Sequence, residues 1–214
     1  MREKFSRQLK QLNDKLSEMG ALIESAIANA VQAIDGDKHA IKTANEYEEE
    51  IDRKEKEIES LCLKLLLTQQ PVASDLRLIS AALKMITDME RIGDQADDIA
   101  EIAATAKQPS YIEKYSHVQR MAAATIDMVN KSVDAFVNKD IAMAEDVICS
   151  DDLVDALFDN VRDDMIDAIK NGTEHKNDIL NLLMIAKYFE RIGDHAANIA
   201  EWVQFSITGE HKQM

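Results

Sequence analysis

Turn formers are scarce in this chain: 214 residues contain only 2 Pro and 6 Gly. Most of them fall where a long helix would begin or end, and no stretch alternates apolar and polar residues between turns as a strand does. Positive charge is also short. With Lys+Arg 25 against Asp+Glu 40, the formal charge is -15, which opposes a phosphate backbone and argues against DNA or RNA as a direct ligand. Cysteine is down to Cys62 and Cys149, with no second Cys or His at ligand spacing. That excludes a disulfide framework or a zinc set, and both are expected to be buried thiols in a reducing compartment. The longest apolar run, Leu61 to Leu67, is broken by Lys64 and falls far short of the ~20 residues needed to span a bilayer. The charged opening MREKFSRQLKQLNDKL lacks the apolar core of a signal peptide, so a cytoplasmic protein without membrane insertion is expected. Phosphate-cradling Gly-rich loops, a Ser/His/Asp order and HExxH are all missing. So is Glu-x-x-His, the pair that brings imidazole to a ferritin-like di-iron site.

What remains is helix. Hydrophobic residues at 46% and charged residues at 30% suit an ordered, soluble fold. Phe5, Leu9, Leu12, Leu16, Met19, Ile23, Ile27 and Val31 step by three and four, predicting a first helix over 2–34 that Gly36 and Asp37 close. A second is predicted over 38–68, and a third from Pro71, whose missing donor suits a first turn, to about Ala106. Lys107-Gln108-Pro109-Ser110 is the best boundary between halves, and helices near 111–138, 139–171 and 175–207 repeat the plan. The fold class is therefore all-α: two tandem antiparallel three-helix bundles, residues 1–108 and 109–214, related by internal duplication. The methionines, 10 in all, are dispersed at core spacing and read as gap fillers.

The duplication is written into one phrase used twice. Glu90-Arg91-Ile92-Gly93-Asp94 with Ile99-Ala100-Glu101 recurs 100 positions later as Glu190-Arg191-Ile192-Gly193-Asp194 with Ile199-Ala200-Glu201. Leu76, Ile79, Leu83 and Ile86 lead along an apolar stripe to Glu90 and Gly93, as Ile179, Leu183 and Ala186 lead to Glu190 and Gly193. The motif thus places carboxylates where a core stripe is expected. Glu and Asp one helical turn apart repel by a few tenths of a kcal/mol, and burying either without a proton, a basic partner or a metal is far more unfavourable. The same spacing occurs at Glu48/Asp52 and, 103 positions on, at Asp151/Asp155. Each half is then expected to gather four carboxylates: Glu48, Asp52, Glu90 and Asp94, then Asp151, Asp155, Glu190 and Asp194. Oxygen-only sets suit hard cations, with iron, Mn or Mg as candidates. Gly93 and Gly193 leave room for a neighbouring helix or an ion. Asp98 and Asn198 lie one turn further on as candidate peripheral ligands.

Plainer readings stand beside this one. A lone Glu-x-x-x-Asp is common by chance in an acidic helical chain, and Glu46 to Glu50 is a charge run of the kind that coats a solvated face. Arg91 and Arg191 offer an alternative in which they neutralise carboxylates of an adjacent helix as a buried ionic lock. The counterpart of His195 in the first half is Gln95, which leaves His195 either tuning one site or lying at the surface, while His39, His117, His175 and His211 are scattered and expected at the surface.

The helical duplication, the two acidic pairs, the segment Pro71-Val72-Ala73-Ser74-Asp75-Leu76-Arg77 and the paired E-R-I-G-D phrases together resemble the PhoU family of phosphate-uptake regulators across essentially the whole chain. The resemblance implies multinuclear metal binding at the acidic pairs and a cytoplasmic adaptor role without catalysis. The implied partners are the ATPase subunit of the high-affinity phosphate ABC transporter and the phosphate-sensing histidine kinase, both restrained when phosphate is plentiful, and a homodimer is expected. The second half departs from the pattern at Glu174 to Asn177, where no Pro-x-x-x-Asp-Leu-Arg segment follows. Contacts made by Arg77 are therefore expected in one half only. The competing classes are a metal-dependent hydrolase, in which bridged ions activate water, and a metal-free structural bundle.

Overall fold

The computed structural model describes residues 2–68, 72–106, 116–172 and 176–210. Six helices make up these residues: α1 Arg2–Ile34, α2 Lys38–Thr68, α3 Ala73–Ala104, α4 Ser116–Asn138, α5 Ile141–Lys170 and α6 Lys176–Thr208. The helix limits expected from periodicity agree within a few residues wherever they can be compared. Pro71, the Lys107–Ser110 boundary, residues 111–115 at the expected start of the fourth helix, His175 and His211 lie outside the described residues.

The turns follow from local chemistry. Gly36, at φ 90°, closes α1 in a left-handed cap: Gly36 N donates to Ala33 O at 3.0 Å and Asp37 N to Gln32 O at 3.0 Å. Asp37 then caps α2, accepting from His39 N at 2.7 Å. The α4–α5 turn copies this geometry with a different residue. Lys139 adopts φ 56°, Asp140 N donates to Ala135 O at 2.9 Å, and the Asp140 carboxylate accepts from Ala142 N and Met143 N, both at 3.0 Å.

Within each half the helices run antiparallel. Lys15 pairs with Glu57 at 2.7 Å and Lys54 with Glu18 at 2.8 Å, locking α1 against α2 over the fully buried Leu12, Leu16, Met19 and Ile23. The two halves join chiefly through α3 and α6, the most extensive helix pairing, with α1 packed on α4 beside it. α3 and α6 also run antiparallel. Thr105 accepts from Asn181 at 2.9 Å, Asp98 from the Tyr188 hydroxyl, and Asp88 stands 2.8 Å from His195 Nδ1, so the α6 partners descend as the α3 residues ascend.

Two details correct the stripe drawn from sequence. Leu76 is 47% exposed and Leu83 only partly buried, while Ile79, Ala82, Ile86 and Met89 carry the core face of α3. Cys62 is buried as expected, with burial pushing its thiol up to about 12, but Cys149 is exposed. The buried stripe of α5 runs through Val147, Val154, Leu157 and Val161, and Cys149 falls between its members on the solvent side. No helix is long and apolar enough to cross a membrane among the described residues.

Candidate metal centres

In the first half, α2 supplies Glu48 and Asp52, one turn apart, and α3 supplies Asp94; one oxygen from each lies within 4.8 Å of the others. Ile51 lies between the two α2 carboxylates and faces Gly93. A Cβ on Gly93 would stand 2.9 Å from Ile51 Cδ1 and 3.1 Å from its Cγ2, so the glycine admits the neighbouring helix rather than an ion. The fourth expected residue, Glu90, lies beside the trio with its side chain largely covered. Burial, then Asp94, raises the Glu90 pKa, with Glu55 and Asp52 adding to the rise. Burial followed by Asp52, Asp94 and Asp97 raises that of Glu48.

Arg91 offsets part of this repulsion. Its Nη1 donates to Asp94 Oδ2 at 2.9 Å and its Nε lies 3.4 Å from Glu90 Oε2. The lock is therefore intrahelical, not a bridge to an adjacent helix, and the guanidinium is more than half exposed. Exposed pairs of this kind contribute at most about 1 kcal/mol. The duplicated Arg191 makes no such clamp: its charge acts on Asp98 and Tyr188 across the α3–α6 seam.

The second half gathers Asp151 and Asp155 from α5 with Glu190 and Asp194 from α6, but less tightly, and among the described residues no three of them close up as the first trio does. Burial drives the Asp151 pKa up to about 6, followed by repulsion from Asp194, Asp155 and Glu190. Asp155 and Asp194 are raised too, each by burial first and then by Glu190. Asp151 Oδ1 is buried without a hydrogen-bond partner, and a Cβ on Gly193 would come within 3.0 Å of that oxygen and 3.3 Å of Val154 Cγ1. The counter-charge here is Lys187, whose ammonium contacts both oxygens of Glu190 and lies 5.5 Å from the centre of the Phe158 ring.

All eight sequence-predicted carboxylates therefore sit on the two helix seams α2/α3 and α5/α6. Crowded, part-buried oxygens, with Asp151 Oδ1 and Glu190 Oε2 lacking a hydrogen bond, are a donor set that a hard divalent or trivalent cation fits.

The expected peripheral ligands belong elsewhere. Asp98 is bonded to Tyr188, and Asn198 donates to Asp88 at 3.4 Å. Both stand in the α3–α6 seam with His195, because each further turn of four residues rotates about 40° around the helix, away from the acidic pairs. Arg77 packs against Gly209 at the end of α6, where carbonyl dipoles favour a cation. Asp97 and Glu55, three residues beyond Asp94 and Asp52, were missed. Asp97 is raised by burial and by Glu101, Asp98 and Asp94, and Glu55 by burial, Asp52 and Glu59. A search along one helix face would have found them. A search for repeated positions could not, because their counterparts are Ala197 and Phe158.

This duplicated helical architecture with two acidic seams has known relatives. The PhoU domain matches residues 16–103 and again 118–203. The phosphate-specific transport system accessory protein PhoU homolog of Clostridium acetobutylicum is 31% identical over 211 residues, covering 98% of this chain and 96% of that protein. The crystal structure of PhoU from Pseudomonas aeruginosa superposes with a TM-score of 0.87 at 32% identity, covering 96% of this chain and 100% of the other. The phosphate transport system regulatory protein PhoU from Streptococcus pneumoniae shares the fold, with a TM-score of 0.88 at 23% identity over 98% of this chain and 100% of its own. The chain belongs to the PhoU family.

Proposed function

We propose that this protein is a cytoplasmic, non-catalytic regulator of phosphate uptake and phosphate-starvation signalling that binds metal on its two acidic seams. The observation that carries the reading is the convergence of Glu48, Asp52 and Asp94 within 4.8 Å in a member of a family whose relatives are named as accessory to phosphate transport. Cations bound there would supply charge neutralisation. The chain's own residues do the rest: Glu48 and Asp52 present oxygens from α2 and Glu90 and Asp94 from α3, so that neutralising them ties the two helices together. Asp151, Asp155, Glu190 and Asp194 tie α5 to α6 in the same way. With its seams closed, the acidic helical surface docks on the ATPase subunit of the phosphate transporter and on the phosphate-sensing kinase, as a homodimer.

Capture of transporter and kinase by the tagged protein from cells grown at high and low phosphate tests the adaptor role. Recovery of neither at either phosphate level refutes it. Sustained phosphatase turnover with Mn²⁺ or Mg²⁺ would instead establish the hydrolase. The Arg91 clamp favours a second, metal-free reading. Equal metal content in wild type and Glu90→Gln/Glu190→Gln would support that reading against the first.

A further inference from the structure

Among the described residues, ten large apolar side chains are exposed, and eight of them fall in two groups. Leu63, Leu67, Val72 and Leu76 flank the α2–α3 turn, while Ile166, Ile169, Leu180 and Met184 flank the α5–α6 turn. Leu67 is 85% exposed and Leu180 59%, so these are not core residues grazing the surface. Steps of three and four residues join each group to its acidic pair. On α2 the series runs Asp52, Glu55, Glu59, Leu63, Leu67, and on α5 it runs Asp155, Phe158, Arg162, Ile166, Ile169. Each seam is therefore acidic toward one end and apolar toward the other. Because α3 packs on α6 and α1 on α4, the two-fold of the duplication runs from the α1/α4 side to the α3/α6 side, and both seams open toward the latter. Asn181 bonds to Thr105, which sets the second group level with the end of α3, about 45 Å along the helix axis from Leu76.

Exposed apolar clusters mark interaction sites. A stable protein interface takes about 20–30 residues a side, so one group of four is too small alone and the two act together. The carboxylates lying between them outnumber Lys56, Arg91 and Lys187, which opposes an anionic lipid surface and favours a partner that is basic there. Two like clusters about a two-fold are matched by two copies of one apolar feature. We propose that the clusters are paired seats for a two-fold-symmetric protein partner, each seat taking the same apolar segment from one of two identical subunits, with the partner's basic surface over the acidic strip between. This rests on the adaptor reading above and assigns its docking face to the two apolar seam ends.

Photo-crosslinking of the full-length chain to the intact phosphate transporter tests the proposal. With p-benzoyl-phenylalanine replacing Leu67 or Leu180, adducts mapped by mass spectrometry are expected on one and the same segment of the ATPase subunit. In binding titrations, Leu67→Ser/Leu76→Ser and Ile169→Ser/Leu180→Ser are each expected to weaken affinity at least about tenfold, and all four changes together to abolish it, because losing one seat removes the gain from joint engagement. Leu153→Ser, exposed but outside both groups, should leave affinity unchanged. Melting temperatures equal to wild type verify that these surface variants fold. Adducts on two different segments, adducts from one seat only, or wild-type affinity in either seat variant overturn the paired seats and leave the adaptor role standing. So does a seat variant that alters the chain's own oligomeric state while binding the transporter normally, which assigns the cluster to self-association. Failure of the wild type to bind the transporter refutes the adaptor role and the seating together.

Discussion

Asp151→Asn is expected to make the metal-free protein more stable while weakening its response to metal. The Asp151 carboxyl is held at about 6, above its usual 3.8, by burial and then by the neighbouring carboxylates, Asp194 first. An acid whose folded pKa lies above its unfolded one destabilises the fold once it is ionised. That penalty is absent below about pH 4, grows through the interval up to 6 and is complete at neutral pH. For a fully buried group a rise of this size corresponds to about 3 kcal/mol. Solvent reaches this partly exposed side chain and screens the effect, leaving about 1 kcal/mol. A chain of this length should then melt about 2–4 °C higher as Asp151→Asn, in EDTA at pH 7.5. Thermal denaturation followed by circular dichroism reads the difference, and near pH 4.5 the gap should close because the wild-type carboxyl is largely protonated. Added Mn²⁺ should reverse the order at pH 7.5, since the asparagine offers the ion a weaker ligand. A variant that melts below wild type in EDTA at neutral pH, or a gap that persists at pH 4.5, would refute the reasoning.

Gly193→Ala should destabilise by about 1 kcal/mol in melting experiments, because crowding of Asp151 Oδ1 at 3.0 Å and Val154 Cγ1 at 3.3 Å outweighs the roughly 1 kcal/mol gained in helix propensity. Lys139→Gly should stabilise by about 0.5–1 kcal/mol, since a β-carbon at φ 56° is strained where glycine is not; an unchanged melting temperature would count against that strain. In a double-mutant cycle, Asp88→Ala and His195→Ala should couple by about 0.5–2 kcal/mol, reflecting their contact at 2.8 Å, and strict additivity would deny that the pair contributes to holding the halves together.

Helix number and limits were legible because apolar spacing reports directly on burial over elements this long, and the duplicated phrase marked both seams. Repetition was also the blind spot. Glu55, Asp97 and Lys187 carry the difference between the halves and have no counterpart of the same type, so a search for matched positions passes over them. The left-handed residue after α4 was hidden for a related reason: Gly36 announces its turn by composition, whereas Lys139 adopts the same conformation with a side chain that gives no such cue. Arg91 and Arg191 show the limit of motif identity. Their sequence contexts match, yet one clamps its own helix and the other reaches the opposite half, because the partners are set by packing across α3 and α6. The exposure of Cys149 was misjudged because apolar neighbours in sequence do not fix which side of a helix a residue faces.

That exposed sulfur has a practical consequence. Cys62 is enclosed, and a thiol raised to about 12 offers almost no thiolate to an alkylating reagent at neutral pH. A maleimide dye should therefore mark Cys149 alone, two residues before Asp151. Paramagnetic Mn²⁺ arriving at the second half would dim that dye, giving a fluorescence reading of occupancy from the natural sequence without any engineered label site.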